Sequence, residues 1–269
     1  MFTGFFGLTR QPFTAELPAD ALFRSSHLEE ALARLRFVID QHGIGLLTGD
    51  PGSGKSASLR ALVAACDPAR HKFLYLTTPR SPRGLLQILC HGLGLEPSWF
   101  AAELQRQVQD ALSRLDAHGV TPVLLADEAQ TAPASVLEEL RLLTVTAMDA
   151  HCPLALILAG HHNLRRRLAL ESLAPLAQRV AISTSLPALS SAQTAAYIDH
   201  QLQWAGSSRP LFTREVIELI AHHSRGVPRQ INRLCTAALL AAFAVQQPLV
   251  EEPAFRQALK EVQPDSSGP

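Results

Sequence analysis

Four short apolar runs mark the chain before Pro187: Ile44 to Thr48, Phe73 to Leu76, Val123 to Ala126 and Leu154 to Ala159. Each has strand length and none alternates with polar residues, the pattern of strands buried on both faces of a parallel sheet. Val180 to Thr184 predicts a fifth strand. Helical spacing separates the runs. Leu28, Leu32, Leu35 and Ile39 follow an S-x-x-E capping box at Ser26 and Glu29, and that helix closes near His42-Gly43. Leu85, Leu86 and Leu89, then Leu104, Val108, Leu112 and Leu115, predict helices between the second and third strands. Repeated strand and helix give an α/β class. After Pro187 only helical periodicity remains, carried by Ala195-Ile198-Leu202, Val216-Leu219-Ile220, Ile231-Leu234-Leu239 and Phe255-Leu259. The expected organisation is a linker segment over 1–24, an α/β core over 25–186, a small all-helical domain over 187–262 and a flexible tail over 263–269.

Composition narrows the function classes. At 269 residues and 47% hydrophobic content the chain buries a sizeable core in one or two domains, which excludes disorder and a small disulfide scaffold. Lys+Arg and Asp+Glu both number 24, so nucleic acid or an anionic membrane has to be met by a local patch. Cys66, Cys90, Cys152 and Cys235 lie far apart without C-x-x-C spacing and read as buried thiols of a reducing compartment. Met1 to Gly7 lacks the basic and apolar regions of a signal peptide. Leu154 to Ala159 and Ala237 to Val245 fall short of the roughly 20 residues of a membrane helix. A cytoplasmic chain without a membrane span is expected.

The strongest chemical signal is Gly49-Asp50-Pro51-Gly52-Ser53-Gly54-Lys55-Ser56, followed by Ala57, which matches G-x-x-x-x-G-K-[ST] between an apolar strand and a helix. Such a loop cradles phosphate with backbone N–H groups and a helix N-terminus, while the lysine reaches the β and γ phosphates and the serine ligates Mg²⁺. A second element, Val123 to Ala126 followed by Asp127 and Glu128, delivers two carboxylates at the C-terminal end of a strand, where a parallel sheet opens its ligand crevice. Asp127 suits the Mg²⁺ shell and Glu128 the polarisation of an attacking water. ATP and Mg²⁺ are the expected cofactors.

Together these residues resemble the AAA+ ATPases, which implies a three-layer P-loop core followed by a helical lid. Phe6-Gly7-Leu8 with Pro12-Phe13, His27, Leu46 to Gly49, Leu158-Ala159-Gly160 with Leu164, Leu176 to Val180 and Gly226 to Leu234 are more specifically similar to the ExeA (general secretion pathway protein A) group. That group is in turn similar to MuB- and TnsC/TniB-like ATPase regulators of DNA transposition. Secretion-type members carry a membrane span and an outer domain after the ATPase module, whereas this sequence stops at its lid, which tilts the expectation towards transposition.

The resemblance also implies roles for three further residues. Arg179 matches the arginine finger that one subunit offers its neighbour, against the alternative of an ordinary surface arginine. Arg229, after Pro228 at a helix start, matches the sensor-2 arginine, against a lid-surface salt bridge. His161 stands where the family places a polar sensor-1 residue, with a capping histidine as the alternative. Arg80 and Arg83 after the second strand, and Arg165-Arg166-Arg167 after the fourth, are candidate DNA contacts or solvated faces. The resulting expectation is an ATPase that assembles with ATP into a ring or filament and helps a transposase on double-stranded DNA. Its alternatives are a secretion-pathway ATPase that touches no DNA, and a nucleotide-gated protein-interaction module.

Overall fold

A computed structural model describes residues 2–14, 16–76, 79–145 and 152–262. The expected tail, 263–269, lies outside the described residues. In chain order the helices are α1 (Phe2–Phe5), α2 (Ser26–Asp40), α3 (Lys55–Ala65), α4 (Pro82–Gly92), α5 (Ala101–Ala117), α6 (Ala134–Leu143), α7 (Asn163–Leu168), α8 (Ala174–Ala177), α9 (Ser191–Trp204), α10 (Arg214–Ser224), α11 (Pro228–Ala244) and α12 (Glu252–Val262). The strands are β1 (Ile44–Gly49), β2 (His71–Leu76), β3 (Thr121–Ala126), β4 (Ala155–Gly160) and β5 (Val180–Leu186). They fall into two compact units: residues 26–51 with 55–186, and residues 1–25, 52–54 and the described part of 187–269.

The first unit is a five-stranded parallel sheet of order β2-β3-β4-β1-β5. Central strands β1 and β4 are buried along their whole length. Because successive side chains of a strand alternate between faces, Leu46 packs into the cluster containing Leu85, Leu89, Leu104, Val108, Leu112 and Leu137 of α4, α5 and α6. Its neighbour Gly45 faces the other layer. A Cβ there would lie 3.0 Å from Ile157 Cδ1 and 3.2 Å from Leu35 Cδ2 of α2, so the missing side chain lets that helix approach the sheet. Burial on both faces fails at the edges: Phe73 is half-buried and Tyr75 is 55% exposed on β2, and β5 alternates similarly. An apolar run carries no record of its neighbour order, so edge and centre look alike in sequence.

The second unit is helical. Ile198 and Leu202 of α9, Val216 and Ile220 of α10, Ile231, Leu234 and Leu239 of α11 and Phe255 of α12 form its core. Within 1–24, expected as a linker, Phe6, Leu8 and Phe13 are buried in this core. Phe5 stacks edge-on against Phe243 at 5.3 Å, and Thr9 N–H donates to Ala205 O at 2.9 Å. Ser190 and Gln193 close a reciprocal capping box at the start of α9. Tyr197 Oη donates to Asn232 Oδ1 at 2.8 Å, and burial pushes its phenol up to about 12.

All four thiols are free, Cys90 and Cys235 buried, Cys66 and Cys152 only half-buried. Among the described residues no helix is long and apolar enough to cross a membrane.

Candidate nucleotide-binding site

Strand β1 ends at Gly49 and α3 begins at Lys55, so Asp50 to Gly54 must reverse the backbone within a few residues. Gly52 and Gly54 do this with φ of 85° and 99°, a region that side chains disfavour. Lys55 is only 5% exposed, and its Nζ donates to Gly49 O at 3.0 Å and Asp50 O at 3.1 Å. The loop therefore wraps its own cation, satisfying a buried ammonium with charge-assisted bonds. Pro51 is exposed, while Ala57 is half-buried in the first turn of α3. Ser53 Oγ is buried without a hydrogen-bond partner, an orphan donor where phosphate oxygens would accept.

Asp127 and Glu128 leave the C-terminal end of β3 in different states. Asp127 is 7% exposed, and its Oδ2 accepts from Ser56 Oγ at 2.6 Å. Ser56 and Asp127 thus place a hydroxyl and a carboxylate together, hard oxygen donors of the kind Mg²⁺ takes. Glu128 is exposed and sits in the left-handed region, at φ 52° and ψ 33°. Such a conformation is costly for a residue with a side chain and has to be held by its surroundings. Two of those holds lie beyond it: Thr131 Oγ1 donates to Glu128 O at 2.8 Å, and Gln130 Nε2 donates to Glu128 Oε2 at 2.6 Å.

His161 follows β4 directly, and its backbone N–H donates to Gln130 Oε1 at 3.0 Å. Its Nε2 stands 3.6 Å from Asp50 Oδ1, and that of His162 stands 3.7 Å from the same oxygen. With Nδ1 of His161 accepting from Asn163 N–H at 3.3 Å, a neutral ring carries its proton on Nε2, towards Asp50. The ring thus meets the phosphate loop through Asp50. Tyr75, on β2 one strand over from Asp127, is a site neighbour that sequence reasoning missed. Burial, then the Asp127 carboxylate, raises its phenol above the usual value near 10.

Of the remaining expected residues, Arg229 meets the phosphate loop at Gly52. Arg179 is half-buried just before β5, whose first residue pairs with Ile44 at the start of β1. The 6 residues of β1, five steps of roughly 3.3 Å, put about 16 Å between that end of the sheet and the end bearing Gly49. Arg229 is exposed in the first turn of α11, behind Pro228. Within the helical unit its N–H donates to Gly52 O at 3.2 Å. Arg80 and Arg83 are exposed and make no hydrogen bond or ion pair among the described residues. Arg165 donates to Ser183 Oγ at 2.7 Å, while the Arg167 guanidinium donates to Gln130 O and, at 2.7 Å, to Ala132 O.

Comparison with known proteins agrees with this geometry. The AAA domain family matches residues 38–168, a span holding the phosphate loop and both carboxylates. General secretion pathway protein A of Aeromonas hydrophila is 36% identical over 248 residues, which are 91% of this chain and 45% of that protein. The chain thus spans less than half the length of that relative. Cdc6p from Pyrobaculum aerophilum superposes with a TM-score of 0.74 at 16% identity, covering 93% of this chain and 70% of that one. The Aeropyrum pernix ORC1 protein, solved in complex with DNA, gives 0.68 at 18% identity over 92% of this chain and 68% of its own. The Thermotoga maritima RuvB Holliday junction branch migration motor gives 0.60 at 18% identity over 90% and 71%. At such identities the likeness is one of fold. Phosphate loop, strand-end carboxylates, sheet order and relatives converge: the chain has the P-loop AAA+ fold, matches the AAA domain family over residues 38–168 and is similar in sequence to the ExeA group.

Proposed function

We propose that this chain hydrolyses ATP to ADP and phosphate with Mg²⁺, assembles with itself through bound ATP, and serves as a transposition helper on double-stranded DNA. The observation that carries the ATPase reading is the Ser56–Asp127 bond at 2.6 Å beside a lysine already folded into its loop, with Glu128 next in sequence but outside that bond. In this reading Lys55 meets the β and γ phosphates, Ser56 and Asp127 hold the metal, and Glu128 takes the proton of the attacking water. Bound Mg²⁺ supplies neutralisation of charge on the transferring phosphoryl group. Arg179, at the far end of the sheet, acts on a neighbouring subunit's γ-phosphate, and Arg229 contacts nucleotide. His161 reports phosphate occupancy through Asp50. Lys55→Ala should lose ATP binding, whereas Glu128→Gln should bind ATP and fail to turn it over. Turnover by Glu128→Gln at the parent rate would refute the assignment.

The DNA role is supported by the exposed Arg80 and Arg83, by the resemblance of ExeA-group sequences to transposition regulators, and by a fold shared with an ORC1 protein solved in complex with DNA. A secretion role, with no DNA contact, is the second reading, favoured by the relative whose name is general secretion pathway protein A. Anisotropy titration of a duplex with ATP or a slowly hydrolysed analogue separates them. Cooperative, salt-sensitive binding supports the first and its absence at low salt the second.

A further inference from the structure

We infer that Gln130 is a positioning residue for Glu128: its side-chain amide holds one carboxylate oxygen and leaves the other to the attacking water. The inference rests on the reading of Glu128 as the proton acceptor. Without a tether, an exposed glutamate samples several rotamers, and general-base catalysis needs its oxygen within hydrogen-bond reach of the water. The Gln130 Nε2 to Glu128 Oε2 bond, at 2.6 Å, supplies that tether.

Three features orient the amide. The backbone N–H of His161 donates to Oε1 at 3.0 Å, and because only the amide oxygen accepts, the NH₂ group is turned to Glu128. Gly160, the last residue of β4, leaves room for this oxygen, since a Cβ there would stand within hard contact of it. The Arg167 guanidinium donates to the carbonyls of Gln130 and Ala132, fixing the turn from which the amide projects. Glu128 is thereby linked through one side chain to the strand end whose next residue faces Asp50 of the phosphate loop.

Steady-state ATPase kinetics on full-length variants tests the inference. Gln130→Met keeps length and packing but neither hydrogen bond, and should lower kcat about tenfold, with KM within about twofold and the melting temperature unchanged. Gln130→Glu keeps the acceptor, loses the donor and sets like charges together, and should be poorer still. Gly160→Ala displaces the amide and should resemble Gln130→Met. The two substitutions combined should be no worse than the weaker single variant, because both remove one interaction. Parent kcat in Gln130→Met, a loss confined to KM, or full additivity in the double variant would overturn the inference while Glu128→Gln stays inactive. Parent turnover by Glu128→Gln would instead remove the reading on which it depends.

Discussion

Two arginine-bearing segments at the C-terminal side of the sheet have similar charge and opposite fates. After β2, Arg80 and Arg83 extend into solvent with no bond among the described residues. After β4, Arg165 donates to Ser183, and Arg167 donates to two carbonyls of the turn that follows Glu128. Only Arg166 of that triplet is exposed and without a bond among the described residues. The difference teaches that local charge density does not mark a binding surface. A guanidinium offers five donors, and a fold that satisfies them internally has used the cation as a structural cross-link. The triplet is denser in charge, yet the sparser pair is the better candidate for DNA.

The largest effect should come from an arginine in neither group. Arg179→Ala, if the side chain works across a subunit boundary, should cut kcat by about a thousandfold while ATP still binds. Mixing it with Lys55→Ala should restore part of the turnover, since one interface of the mixture joins an intact loop to an intact finger. A fully active Arg179→Ala monomer would place Arg179 with the structural arginines.

Arg167→Ala should come next. Losing charge-assisted bonds to two carbonyls costs about 1–3 kcal/mol, read as a melting temperature lower by several degrees. Unchanged melting would erase the contrast between the two segments. Arg80→Ala with Arg83→Ala should leave melting unchanged and weaken duplex binding about tenfold at low salt for every sequence tested. The slope of log affinity against log salt should become shallower by roughly 0.9 for each phosphate that is no longer neutralised. Binding that survives both substitutions moves the DNA-facing surface elsewhere, with Arg166 the next residue to change. The smallest effects belong to Arg165→Ala and Arg166→Ala, each expected within about 0.5 kcal/mol of parent stability because both side chains are exposed.

What could be read from sequence was what short spacing encodes. Gly49 to Ser56 declares itself because few other chemistries need that order of small residues and a lysine between a strand and a helix. Asp127 and Glu128 were legible from the apolar run before them. Gln130 was not, because its meaning depends on Gly160 and His161, about 30 residues on and brought close only when β3 and β4 pair. Tyr75 beside Asp127 depends in the same way on the pairing of β2 with β3. Periodicity reports which face of an element is apolar, and the strand order decides who meets it.

The N-terminal aromatics carry a consequence for the order of events during synthesis. Phe13 packs against Phe212 and Thr9 bonds to Ala205, so residues ahead of the sheet complete a core whose other members are translated after it. Closing so long an interval is a minor entropic matter, since each doubling of loop length adds only about 0.6 kcal/mol. Timing is the larger issue. A nascent chain that has reached β5 holds every strand of its sheet, while Phe6, Leu8 and Phe13 still lack α9 to α12 to cover them. For that interval the segment holding Phe6, Leu8 and Phe13 is apolar surface without its cover.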